Sequence, residues 1–265
     1  MNVFIVEMKA HRNVLIIWAV GIIFMVVAGM GKYVALSSSG QSMNDLFAQM
    51  PKSMQTLFGI GIFDLSKASG YYGMLFLYLA LMATIHAIML GANIISKEER
   101  DKTAEFLFSK PISRNKIITA KLAAAFMNIL IFNIITLVSS IVVVGKYSKG
   151  ESVSGEIITL MVGMFVMQLI FMFTSTAIAA VSKNPKTATS ISTAVLLITY
   201  ILSMVIDLNG KLINLKYFTP FKYYEAKDLI LGSGFQLSFV ILSIVIVLSM
   251  IKTTYVFYKR RDLSI

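Results

Sequence analysis

The chain of 265 residues holds two histidines and no cysteine, which removes several chemistries at once. Zinc thiolate sites, disulfides and cysteine nucleophiles need sulfur that is not there. The H-E-x-x-H of a membrane metalloprotease needs two histidines on one helix face, and His11 and His86 stand far apart. A phosphate-binding loop needs G-x-x-x-x-G-K-[ST], so that backbone N–H groups surround the phosphates. Gly145-Lys146-Tyr147-Ser148 is the nearest approach, and it lacks both the upstream glycine and the adjacent hydroxyl. No G-x-S-x-G and no cluster of acids with metal spacing is present. The chain is therefore read as carrying no catalytic, cofactor, nucleotide or metal site. Any energy it uses must come from an ion gradient or from another subunit.

The remaining polar candidates lie inside apolar runs. His86 and Asn93 are seven residues apart, two helical turns, and so share a face. Asn128, Asn133, Gln168 and Thr174-Ser175-Thr176 add further polar points. A functional reading makes His86 a proton relay or a substrate contact. The structural reading is interhelical hydrogen bonding, worth about 0.6 kcal/mol per bond. A relay calls for a carboxylate partner, and none is expected within a span, so the structural reading is preferred.

The elements that position these residues follow from composition. Of all residues 57% are hydrophobic and only 14% are charged, against about a quarter charged in ordinary globular domains. A hydrocarbon core about 30 Å thick takes roughly 20 mostly apolar helical residues. Six stretches fit: Val14–Met30, Tyr71–Ile95, Ile117–Gly145, Gly155–Val181, Thr187–Ile206 and Phe235–Ile251. Ala83, Ala87 and Gly91 form a stripe of small residues on the second, which permits close helix contact. The expected fold is all-α, one membrane domain of six spans. The net charge of +11 is distributed between apolar runs rather than gathered on one face, which argues against a nucleic-acid partner.

Lysine and arginine set orientation. Fifteen of the 24 fall at Lys9, Arg12, the cluster from Lys97 to Lys121, Lys183, Lys186, Lys252 and Lys259-Arg260-Arg261. The other nine are spread over the longer alternate loops. The denser set is predicted to be cytoplasmic, which places both termini inside. A basic start followed by an apolar run and Val26-Val27-Ala28 also has the form of a signal peptide. The long n-region with Glu7, and Val3, Phe4 and Met8 toward one side, favours a retained span.

Three connections carry pattern. In the loop from Lys32 to Gly70, Asp45–Met50 and Ser53–Ile60 flank Pro51 and suit two short interfacial helices; a loosely ordered loop fits nearly as well. Between Ser96 and Lys116, Thr103 is placed to cap a short helix, Pro111 ends it, and Ser113 can cap the next. That short helix would lie across the cytoplasmic mouth with Phe106-Leu107-Phe108 available for burial; a solvated loop with its aromatics on the lipid interface fits equally. The connection Asp207–Ser233 has the turn Asn209-Gly210, the break Thr219-Pro220 and an aromatic belt of Tyr217, Phe218, Phe221, Tyr223 and Tyr224. A segment that dips into the membrane and returns suits it where protein covers the backbone.

The run Glu98-Glu99-Arg100-Asp101-Lys102-Thr103-Ala104-Glu105-Phe106-Leu107-Phe108-Ser109-Lys110-Pro111-Ile112-Ser113-Arg114 resembles a pattern between the second and third spans of permease subunits of type-2 ATP-binding-cassette (ABC) transporters. Thr219-Pro220-Phe221-Lys222-Tyr223-Tyr224 and the tail Tyr258-Lys259-Arg260-Arg261-Asp262-Leu263 are similar to further family features. Lys102 stands where relatives usually have glycine, and Glu225 where they often have Asp. The resemblance implies an ATP-driven exporter of a hydrophobic or amphipathic cargo, such as a peptide toxin, an antimicrobial peptide or a drug. It implies the bacterial plasma membrane, two permease copies (identical or homologous) and two cytoplasmic ATPase subunits, with ATP and Mg on the ATPases. Residues 97–114 would form the coupling helix, with Glu98, Glu99, Arg100, Thr103, Glu105, Phe106, Leu107, Pro111 and Arg114 as its working residues. Residues 2–13 would form an interfacial elbow helix. Tyr217, Phe218, Pro220, Phe221, Tyr223 and Tyr224 would belong to an outer gate. An ion-coupled carrier, which calls for intramembrane carboxylates and inverted repeats, and a non-transporting sensor on the same fold are the alternatives.

Overall fold

A computed structural model describes residues 2–38, 49–51, 54–55, 63–101, 112–148, 150, 152–182, 184–232 and 234–260. Its long elements are α1 (Val3–Ser37), α2 (Ala68–Arg100), α3 (Arg114–Tyr147), α4 (Ser154–Val181), α5 (Pro185–Leu208) and, after a short α6 (Ala226–Ile230), α7 (Leu237–Arg260). Two 3-10 segments, Gly210–Phe218 and Pro220–Lys222, stand between α5 and α6. All six long helices are long and apolar enough to cross a membrane. Five predicted spans lie within these helices; the sixth begins at Leu237 rather than Phe235. The predicted helices Asp45–Met50 and Ser53–Ile60 lie mostly outside the described residues, and the short helix from Thr103 lies wholly outside them.

Local chemistry explains the ends. Ser113 accepts a hydrogen bond from the Lys116 N–H and so caps α3. Asn184 caps α5 by accepting from the Lys186 N–H, with Pro185 at the first helical position, where its missing donor costs nothing. Asn209 turns the chain out of α5 by accepting from the Lys211 N–H. Gly234 takes a left-handed φ of 69° just before α7, a conformation glycine adopts without a Cβ penalty.

The expected elbow at residues 2–13 is not a separate helix: α1 runs unbroken through it. One buried stripe explains why. Val3, Glu7, His11, Leu15, Ala19, Ile22, Val26, Met30 and Tyr33 recur at three- and four-residue spacing along the whole helix. The 35 residues extend about 52 Å at 1.5 Å per residue, well beyond a hydrocarbon core of about 30 Å.

At the centre α2 packs against α4, and their membrane-spanning windows are the most buried. α1 packs on α3, α7 on α4, and α5 on α2. The outer faces of α1, α5 and α7 expose rows of large apolar side chains, among them Ile17, Phe24, Ile198 and Leu248. Water would penalise such rows; hydrocarbon does not. Gly91 sets the α2–α4 distance. A Cβ there would stand 2.5 Å from the Met172 carbonyl oxygen and 3.1 Å from Ser175 Cβ. The Ser175 hydroxyl also donates to the Ile88 carbonyl at 2.7 Å, so the two backbones lie close together. Gly91→Ala should therefore force the helices apart and cost about 1–3 kcal/mol. Thermal unfolding in detergent tests this: a lowered midpoint is expected, and an unchanged one would show that the contact yields freely.

Candidate functional site

Burial of an ammonium organises the end of the bundle that carries Arg100 and Arg114. Lys121 lies seven residues into α3, about 10 Å along it, and is 0% exposed. Its ammonium has three protons and three acceptors: Glu7 Oε1 at 3.0 Å, Glu98 Oε1 at 2.6 Å and the Ile94 carbonyl at 2.7 Å. Glu7 comes from α1, Glu98 and Ile94 from α2. The other Glu7 oxygen lies 3.7 Å from the Lys97 ammonium and 3.6 Å from His11 Nε2. Two carboxylates thus face two ammonium groups at the junction of three helices. A charge buried this deeply persists only when paired and hydrogen-bonded. All three protons of the Lys121 ammonium are engaged, while the second Glu7 oxygen has charge contacts without a hydrogen bond.

Further ties surround the cluster. Asn128 donates to the Met8 sulfur at 3.2 Å and to the Ala124 carbonyl. Arg114 donates to the Lys259 carbonyl at 2.8 Å, and Thr119 and Tyr255 share a hydroxyl bond at 2.6 Å, which joins α3 to α7. Arg100 turns back along α2 to donate to Asn93 Oδ1 at 2.8 Å, with Asp101 at 3.1 Å. Glu99 is half-buried.

The residues predicted for coupling therefore divide. Glu98 faces the bundle interior on Lys121, Arg100 and Arg114 lie at the rim, and Thr103, Glu105, Phe106, Leu107 and Pro111 lie outside the described residues. Glu7 and Lys121 were read only as features of the N-terminal segment and of topology. An ionisable residue a turn inside the apolar run that starts at Ile117 was the available signal for Lys121.

The mid-span polar residues do not converge. His86 stacks on Phe132 with centroids 4.7 Å apart and lies tilted 5.6 Å from Trp18. Asn93, two turns on, is engaged by Arg100 instead. Gln168 accepts from Asn133 at 3.2 Å, joining α4 to α3. These contacts are ring packing at His86, a bond within α2 at Asn93 and an interhelical bond at Gln168.

At the opposite end the segment between α5 and α7 folds back onto α4. Phe221 contacts Phe171 and Tyr200, with centroids 5.3 Å and 5.2 Å apart. Tyr224 and Leu229 close over Gly163, where a Cβ would meet Leu229 at 2.8 Å. Phe171 lies about 25 Å along α4 from Ser154, so the segment reaches well into the bundle. Of the predicted gate residues, Pro220, Phe221, Tyr223 and Tyr224 are buried, whereas Tyr217 and Phe218 are exposed. Tyr223 stacks on Phe239 at 4.8 Å and donates to the Tyr217 carbonyl. Lys222, which in sequence stands only within the stretch Thr219–Tyr224, is a second buried ammonium, paired with Asp207 and Glu225. Lys227 lies 2.7 Å from Glu225. Burial pulls the Lys227 ammonium down, but Glu225 and then Asp207 and Asp228 outweigh it, and its pKa is raised. Beside this segment a groove of about 450 Å³ runs between α4 and α7, with Val166, Leu169, Ile244 and Val247 in its walls and the hydroxyl pair Tyr224–Ser243 (2.8 Å) at one side.

Removing one member of a buried ion pair leaves the other uncompensated and costs about 3–5 kcal/mol. Lys121→Met should accordingly lower the midpoint of thermal unfolding in detergent, whereas Lys252→Met, on an exposed side chain, should leave it in place. Equal midpoints for the two variants would contradict the cluster.

Among the described residues, no group of histidine, cysteine or acid side chains is arranged to hold a metal. No curated protein matches the chain. Residues 1–263 match the family described as ABC-2 family transporter protein, which spans all six long helices and both charged clusters. The chain belongs to the ABC-2 transporter family, as a multi-pass membrane permease subunit rather than the ATPase.

Proposed function

We propose that the chain is the membrane half of an ATP-driven exporter in the bacterial plasma membrane, with both termini and the connection 101–113 in the cytoplasm. The family match over residues 1–263 carries this reading. Two permeases, identical or homologous, would pair with two ABC ATPase subunits that bind ATP and Mg. Residues 97–114 would receive the ATPase movement, and the segment from Tyr217 to Tyr224 would close the outer end. The apolar lining of the groove between α4 and α7 supports a hydrophobic or amphipathic cargo, such as a peptide or a drug.

Two experiments test this. Tagged full-length chain purified from its native membranes should carry a P-loop ATPase in equimolar amount, and replacing the P-loop lysine should abolish hydrolysis and transport together. Transport by the chain alone on a proton gradient would refute the reading. Because the chain has no cysteine, single cysteines report topology cleanly. Lys211→Cys should react with an impermeant maleimide on intact cells, and Asn2→Cys only after lysis. The reverse pattern would invert the orientation.

A further inference from the structure

We propose that Lys121, Glu7 and Glu98 form a charge clamp that makes the first turns of α1 move as one rigid body with the end of α2 and the start of α3, which flank the coupling segment. This rests on the reading of residues 97–114 as the ATPase-driven element. Glu98 is two residues before Arg100, where α2 ends, and Lys121 is seven residues after Arg114, where α3 starts. The clamp therefore joins the two helices that bracket the connection 101–113, and Glu7 brings in a third that is remote in sequence. All three ammonium protons of Lys121 are used, two on carboxylates and one on the Ile94 carbonyl. Lys97 and His11 face the second Glu7 oxygen, so charged or titratable groups from α1, α2 and α3 all meet here.

Sliding α1 past α2 and α3 would take Glu7 off Lys121, leaving one ammonium proton without an acceptor and a buried carboxylate without its closest partner. Motion of the bracket is thus handed to α1 instead of being absorbed at the joint. Because α1 is continuous from Val3 to Ser37, it acts as a lever to the far end. There the Tyr33 hydroxyl donates to the Ser66 carbonyl at 2.9 Å and its ring packs on Tyr71, 5.4 Å between centroids. Lys121 is in this sense a positioning residue, which acts on the outer end through α1.

The test uses the permease–ATPase complex in lipid nanodiscs, with spin labels at Lys9→Cys and Lys116→Cys, both exposed. Doubly labelled permease is diluted with unlabelled chain, so that only the distance within one permease is read. The expected result is one narrow distance, unchanged between the nucleotide-free and the ATP-vanadate-trapped states. In Lys121→Met the trapped state should show a second or broadened distance, and Lys121→Arg should restore the single one. Glu98→Gln, which keeps shape and removes one charge, serves in its place if Lys121→Met does not fold. A native-cluster distance that changes on trapping overturns the clamp, as does a neutral variant that keeps one invariant distance. A purified chain with no ATPase bound overturns the coupling reading itself, a separate outcome scored on the same preparation.

Discussion

A lysine ammonium has no place in a helix bundle unless acceptors surround it, and the Lys121 site shows what that requirement imposes. Three acceptors must arrive from outside α3, and they come from two different helices, Glu7 on α1 and Glu98 with Ile94 on α2. The placement of the first turns of α1, the depth at which α2 ends and the register of α3 are all constrained by one nitrogen. The apolar contacts between these helices supply attraction without register. The ion cluster supplies register, because its geometry is lost when any one helix shifts by a turn.

The far end repeats the arrangement with different parts. Lys222 is 5% exposed and is held by Asp207 from the end of α5 and by Glu225 from the start of α6. Here the charges fix a non-helical connection rather than three long helices. Two 3-10 segments need side-chain and tertiary partners, since their own hydrogen bonding is poorer than that of an α-helix. Phe221 in its aromatic pocket serves one, and Tyr217, its ring against Phe239 and its carbonyl on the Tyr223 hydroxyl, serves the other. Between the two clusters the bundle interior is bonded through neutral groups, among them Tyr72 with Ser140 and Thr176 with Thr254.

Much of the fold was legible because apolar length is a coarse and robust signal: the runs around Tyr71–Ile95 and Gly155–Val181 allow little besides spanning helices. The cap at Ser113 and the turn at Asn209 were legible for a similar reason, since each is decided by one side chain and its own backbone. Partnerships between remote residues were not. Glu7 and Lys121 are 114 positions apart, and a lysine near the end of a span reads equally as an orientation signal or as a buried ion. His86 and Asn93 share a helix face, yet Arg100 claims Asn93 from the same helix while aromatic rings take His86. The elbow failed as a separate element because composition marks where hydrocarbon begins, whereas the stripe from Val3 to Tyr33 decides where a helix continues.

The central claim is that work enters this permease through the connection between α2 and α3. It is tested most directly by a photo-reactive amino acid at position 106 in the full complex. The account predicts a covalent adduct with the ATPase subunit on illumination, and none from the same probe at position 211. An adduct-free position 106 in a complex that still hydrolyses ATP and transports would contradict it.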